Sequence, residues 1–91
     1  MAKNDALEVL KALSDETRLE IVRLLLDGER CVCQIFPHVK RTQSTVSTQL
    51  ATLEKAGLIK SRREGKKIFY KINDNRVKKI LKAAESKLEG N

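Results

Sequence analysis

Between Thr42 and Ile72 the hydrophobic rhythm changes from helical to strand-like, and the change falls at Ala56-Gly57. The stretch TQSTVSTQLATLEKAGLIKSRREGKKIFYKI therefore has to hold one helix followed by a hairpin. Val46, Leu50 and Leu53 recur at helical spacing and make one apolar stripe fit for a core. At about 100° per residue, Ser44, Thr48, Ala51 and Lys55 fall roughly opposite that stripe, with Thr45 and Ser47 on the flanks. The outward face is short, hydroxylated and nearly free of carboxylates, so it can enter a groove lined with phosphates. Beyond the glycine the pattern predicts a strand over Leu58–Arg62, a turn over Arg63-Glu64-Gly65-Lys66 with Gly65 at positive φ, and a return strand over Lys67–Ile72. Ile68, Tyr70 and Ile72 alternate onto one face and are predicted to point at the core. Arg62, Arg63, Lys66 and Lys67 crowd the tip beside a single acid, Glu64, which suits contact with sugar-phosphate backbone or minor groove. Helix and hairpin together read as a recognition helix and a basic wing.

The distribution of charge agrees. The chain of 91 residues carries a net +7, and residues 40–71, with nine basic and two acidic side chains, hold an excess equal to the whole. Residues 1–39 are net −2 and residues 72–91 net +2. Positive charge concentrated in this way is the footprint of polyanion binding, with a solubilising surface as the alternative reading of the charge alone. It lies on a hairpin rather than along an amphipathic helix, which argues against a membrane surface as partner. No apolar run approaches the roughly 20 residues that span a bilayer. The opening MAKNDALEVLKALSDETR is too charged for a secretory signal. A cytoplasmic protein is expected, with Cys31 and Cys33 as reduced thiols at rest. The length allows one domain, 1–91, with a modest core. Aromatic residues make up only 3%, so that core must be built from Leu, Ile, Val and Ala, which favours helices and benefits from a partner subunit.

The remaining segments read as helices. Asn4 to Leu13 places Leu7, Leu10 and Leu13 at threefold spacing, with Ala6 and Val9 widening the apolar surface. More than one side of this helix is apolar, so it is expected to pack on its own domain and on something else. Ser14 and Asp15 offer N-cap oxygens to a second helix, which runs to about Asp27 and ends at Gly28. Arg30 to Val39 is predicted as a two-turn helix ending near Pro37, Lys40 and Arg41 as the turn, and Thr42 as the next cap. That order is a helix-turn-helix over 30–57, with the wing over 58–72. Asn73 and Asp74 cap a final helix whose stripe is Val77, Ile80, Leu81, Ala84 and Leu88. This helix either pairs with the first helix of a second subunit or packs on its own domain alone.

With these residues in place the chain resembles the ArsR/SmtB family of small winged-helix repressors. The match is carried by LKALSDETRLEIVRLLL (10–26), ERCVCQI (29–35) and the stretch from Thr42 to Ile72, which together cover most of the chain. Its more specific points are Thr17-Arg18, the run Gln43-Ser44-x-Val46-Ser47-x-x-Leu50, and Gly57-Leu58-Ile59 before a basic hairpin. The resemblance implies a mainly α fold with a small β-hairpin, a winged helix-turn-helix in the order α-α-α-α-β-β-α. It also implies a homodimer joined through 4–13 and 74–89, for which Leu7, Leu10, Val77, Ile80, Leu81 and Ala84 are the candidate interface residues. Gln49 stands where the family often has His; by periodicity it lies nearer the buried stripe than Thr48, so its contact with DNA is less direct.

Cys31-Val32-Cys33 resembles the inducer site of arsenic- and cadmium-responsive members of that family. Two neighbouring thiolates are soft ligands for As(III), Sb(III), Cd(II), Pb(II), Cu(I) or Zn(II). On a regular helix the two residues would point about 200° apart and could share an ion only by distorting the helix start, which would make a switch. The pattern of ligands is incomplete, with any third ligand left open: Phe36 stands where some arsenic-responsive members have a further Cys, and the last helix lacks the zinc-sensing His and carboxylate pattern. His38, after Pro37, reads as solvated. A thiol redox sensor, acting through reversible oxidation or a crosslink between subunits, is the second reading of the pair, although an intramolecular Cys-x-Cys disulfide is expected to be strained. Structural thiols with no signal are the third.

Taken together, a dimeric, sequence-specific DNA-binding regulator is expected, a repressor released by its inducer from an inverted-repeat operator in double-stranded DNA. Gln43, Ser44, Thr45, Ser47, Thr48 and Gln49 would face the bases, and Arg62, Arg63, Lys66 and Lys67 the backbone. No constitutive cofactor, nucleotide or membrane partner is implied. A winged-helix protein-interaction module is the alternative class. An enzyme is disfavoured by one His, no paired carboxylates in an apolar setting and no phosphate loop.

Overall fold

The computed structural model describes residues 6–85. The expected helix start at Asn4, the stripe position Leu88 and the dimerisation range past residue 85 lie outside the described residues. Helix α1 (Ala6–Leu13) leads through Ser14 and Asp15 into α2 (Glu16–Leu26). Asp15 is extended and accepts from the Arg18 backbone N–H at 3.0 Å, so it caps α2 as its position predicts. The helix closes at Asp27, and Gly28 follows at φ +131°, a conformation that a side chain would strain.

The next segment differs from expectation. Arg30–Cys31 is a two-residue strand, β1, and helix α3 starts only at Val32 and runs through Pro37 to Val39. Helical geometry persists past Pro37 because Ile35 and Val39, one turn apart, are both buried in the core. Lys40 then turns left-handed at φ 61°, ψ 43°, its N–H bonding Phe36 O at 3.2 Å.

Helix α4 (Gln43–Lys55) begins at Thr42, whose Oγ1 accepts from the Thr45 N–H at 3.1 Å. Replacing Thr42 with Ala is expected to cost about 1 kcal/mol, read as a lower urea midpoint at unchanged slope. A midpoint equal to wild type would deny the cap its role in starting this helix.

Strands β2 (Ile59–Glu64) and β3 (Lys67–Ile72) complete an antiparallel sheet in the order β1-β3-β2. Arg63 and Glu64 pair with Ile68 and Lys67, so the turn is only Gly65-Lys66, with Gly65 at φ 62°. The predicted four-residue turn is thus two residues too long, because the ladder continues to the tip. Helix α5 (Arg76–Glu85) follows, Asp74 Oδ1 accepting from the Arg76 N–H at 3.0 Å.

One apolar cluster joins these elements: Val9, Ile21, Leu25, Ile35, Val46, Leu50, Leu53, Leu58, Ile59, Val77 and Leu81 are all buried. Tyr70 and Ile72 pack on it from β3. Ile68 does not reach it. It shares their face but sits opposite Arg63 at the outer end of the hairpin, half-buried beyond the cluster.

Candidate nucleic-acid interface

The burial of Val46, Leu50 and Leu53 fixes the rotation of α4. Gln43, Ser44, Ser47, Thr48 and Ala51 are therefore exposed, and Thr45 and Gln49 are half-buried at the margins. Thr45 is partly engaged in the cap, since Thr42 Oγ1 donates to its hydroxyl at 2.8 Å; Ser44 Oγ lies 3.3 Å from Thr42 Oγ1. Gln49 Oε1 accepts from Arg18 Nη1 at 2.5 Å, and Arg18 Nε donates to Ala12 O at 2.6 Å. Arg18 thus ties the end of α1 to α4 through Gln49. This bridge between distant segments was not legible from periodicity, which gave only the half-buried position of Gln49.

The four basic residues of the hairpin tip fall into two groups. Arg63, Lys66 and Lys67 are exposed and make no ion pair among the described residues. Arg62 is different. Its Nε and Nη2 donate to the two oxygens of Glu29 at 2.9 and 2.8 Å, its Nη1 donates to Glu64 Oε1 at 2.7 Å, and its guanidinium lies 4.6 Å from the Phe69 ring centre. The Arg62 hydrogen bond holds the Glu29 carboxyl below the usual carboxylate range, and the two carboxylates raise the Arg62 pKa. In the helix-turn-helix turn, Arg41 sits 3.4 Å from Glu20 on α2.

Cys31 and Cys33 converge, contrary to the helical estimate of opposed side chains. Cys31 is not on the helix: it is the extended N-cap of α3, at φ −69° and ψ 148°. The two Cα atoms are 5.1 Å apart, and the two sulfurs are brought together, within reach of a disulfide. Cys31 Sγ also accepts from the Cys33 N–H at 3.1 Å, while Gln34 Oε1 accepts from the Cys31 N–H at 2.9 Å, which completes a capping box. Cys31 is buried and Cys33 exposed. Among the described residues no group of three His, Cys, Asp or Glu side chains is placed to hold a metal, and His38 is exposed.

The candidate dimer residues also divide. Leu7 and Leu10 are 59% and 54% exposed, whereas Val77 and Leu81 lie in the chain's own core. Ile80 is half-buried and Ala84 exposed. Leu10, Leu13, Leu19, Ile80, Leu81 and Ala84 line an apolar groove of about 290 Å³ between α1, α2 and α5. No helix among the described residues is long and apolar enough to cross a membrane.

Comparison with known proteins agrees with this architecture. The family model for the bacterial regulatory protein, arsR family, matches residues 15–61, from the N-cap of α2 into β2. A helix-turn-helix-type transcriptional regulator of Methanocaldococcus jannaschii is 47% identical over 81 residues, covering 88% of this chain and 91% of that one. A cadmium resistance transcriptional regulatory protein CadC homolog of Staphylococcus aureus is 40% identical over 81 residues, covering 88% of this chain and 67% of its own length. Among solved structures, the homodimeric winged helix-turn-helix DNA-binding domain Mb0332 of Mycobacterium bovis matches with a TM-score of 0.77 at 35% identity, over 86% of this chain and 72% of that one. A hydroxylated helix face beside a basic hairpin, in this order of elements and with these relatives, is not the equipment of an enzyme: the chain belongs to the ArsR family of winged helix-turn-helix, DNA-binding transcriptional regulators.

Proposed function

We propose that this regulator is a homodimeric repressor that leaves an inverted-repeat operator when Cys31 and Cys33 bind a thiophilic metal ion or metalloid such as As(III), Sb(III), Cd(II) or Pb(II). The observation that carries the reading is the convergence of two sulfurs at the junction of β1 and α3. Two soft donors on neighbouring residues suit such an ion, whose remaining ligands would come from outside this pair. The junction also adjoins both halves of the interface. Cys31 pairs with Phe69 in the wing, and α3 packs on α4. An ion that prefers a different spacing of the sulfurs would bind one arrangement of this junction better than another, as release requires. The cadmium resistance relative supports the same chemistry.

A homodimer is supported by the exposed Leu7 and Leu10 beside the apolar groove. Each subunit would then present Gln43, Ser44, Thr45, Ser47 and Thr48 to base edges in a major groove, with Gln49 held at the margin by Arg18. The wing would supply Arg63, Lys66 and Lys67 to the backbone. This activity is cytoplasmic.

The closeness of the two sulfurs admits one second reading, in which the signal is oxidation: two thiols lose two protons and two electrons to a peroxide-class oxidant. The test is fluorescence anisotropy on the chain's own promoter fragment, with reduced protein, against arsenite, antimonite, cadmium, lead and hydrogen peroxide. At least one metal or metalloid is expected to weaken binding about tenfold or more, a coupling of about 1.4 kcal/mol. Release by peroxide alone would select the redox reading. No specific retention at moderate salt would point to a protein-interaction module instead.

A further inference from the structure

We propose that Glu29 is a positioning residue of the wing: its carboxylate forks Arg62 across the sheet, keeps that arginine off DNA phosphate and fixes β2 against the cysteine-bearing β1. The proposal rests on reading the hairpin as a DNA-contacting wing, and it assigns opposite parts to side chains that composition alone would treat alike.

The geometry begins with the ladder. Direct partners in an antiparallel pair share a face, so Cys31, Phe69 and Arg62 form one cross-strand row over β1, β3 and β2. Glu29, immediately before β1, reaches over the middle strand to Arg62 with both oxygens, at 2.8 and 2.9 Å. The clamp therefore links the two outer strands, which share no ladder of their own. Exposed ion pairs usually contribute little, but a bidentate fork lying on an aromatic ring and closed by a second carboxylate is the favourable exception. All three guanidinium nitrogens of Arg62 are engaged, and two carboxylates more than offset its charge. The two N–H groups left on Nη1 and Nη2 could take a phosphate only with Glu29 and Glu64 facing another anion across the same guanidinium. Arg63, Lys66 and Lys67, without ion pairs among the described residues, meet no such competition. The wing's phosphate-binding valence is accordingly set by a residue outside the wing.

The experiment compares the salt dependence of operator binding for wild type, Arg62→Ala, Glu29→Gln and the double variant. Asp27→Asn, an exposed acid two residues away, serves as the control for net charge. Arg62→Ala is expected to leave the slope of log K against log salt unchanged. Glu29→Gln removes one of the two carboxylates while Glu64 stays bonded, and should steepen that slope by up to about 0.9 per subunit, beyond any change in Asp27→Asn. Adding Arg62→Ala to Glu29→Gln should abolish the gain, an outcome that a merely structural clamp would not produce. A flatter slope in the single Arg62→Ala variant, or no steepening in Glu29→Gln, would overturn the proposal. The clamp is read separately by NMR titration of the Glu29 carboxyl without DNA. It is expected below the ordinary carboxylate range in wild type and to return to it in Arg62→Ala; an ordinary value in wild type overturns the fork itself. Wild-type binding with no salt dependence would instead remove the wing reading beneath it.

Discussion

Cys31→Ser and Cys33→Ser proteins are expected to bind operator about as tightly as reduced wild type, yet to stay bound when the inducer is added. Affinity should survive because neither thiol is among the residues proposed to contact DNA and the local structure tolerates the exchange. Cys31 acts as the N-cap of α3, accepting from the Cys33 N–H, and serine is a better N-cap than cysteine. Cys33 is exposed, so a hydroxyl there keeps access to water. Release fails because a hydroxyl is a hard, weak donor for these ions and one remaining thiol cannot chelate. Against a wild-type shift of about tenfold or more, which is within the usual range of allosteric coupling, each variant should move by no more than about twofold. If both variants still dissociate with arsenite, cadmium and peroxide as wild type does, control lies elsewhere in the chain.

The parts of this molecule that could be read from the sequence are those whose causes are local. Asp15 and Thr42 cap their helices because the accepting oxygen and the donated N–H are three residues apart. Gly65 marks the hairpin turn because it takes a positive φ without a side-chain clash, and the stripe Val46, Leu50, Leu53 orients α4 by periodicity alone. The misread segment is β1. Two residues are too few to display a period, and they become a strand only by pairing with Phe69 and Tyr70 much later in the chain. That error propagated to the thiols: placing Cys31 on a helix set it opposite Cys33, whereas the extended N-cap brings the two together. Arg62 shows the same limit. Composition put it at the wing tip with Arg63, Lys66 and Lys67, but its partner Glu29 is distant in sequence and no local pattern announces it. Ile68 has the alternation of a core residue and misses the core because the hairpin extends past it. The candidate site was thus legible in its inventory, and the divisions within it were made by non-local contacts.

Arg63→Ala combined with Lys67→Ala is expected to weaken DNA binding on every sequence and to flatten its salt dependence. Both side chains are exposed and free of ion pairs among the described residues, so their charge is available to phosphate. Lys67 stands opposite Glu64, but the Glu64 carboxylate is bonded to Arg62. In a homodimer the double substitution removes four contacts, each contributing about 0.9 to the slope of log K against log salt, roughly 3.6 in all. Raising salt from about 50 to 200 mM should then reduce affinity about a hundredfold less than it does in wild type. The ratio of operator to random-sequence affinity should hold, because Ser44, Ser47 and Thr48, the positions proposed to face the bases, are exposed on α4 and untouched. A Ser47→Ala, Thr48→Ala protein should behave in the opposite way, losing discrimination while keeping the wild-type slope. An unchanged slope in the Arg63, Lys67 variant would take the hairpin out of the interface; the positive charge concentrated between residues 40 and 71 would then have to act through Lys40, Arg41, Lys55 and the inner strand positions instead.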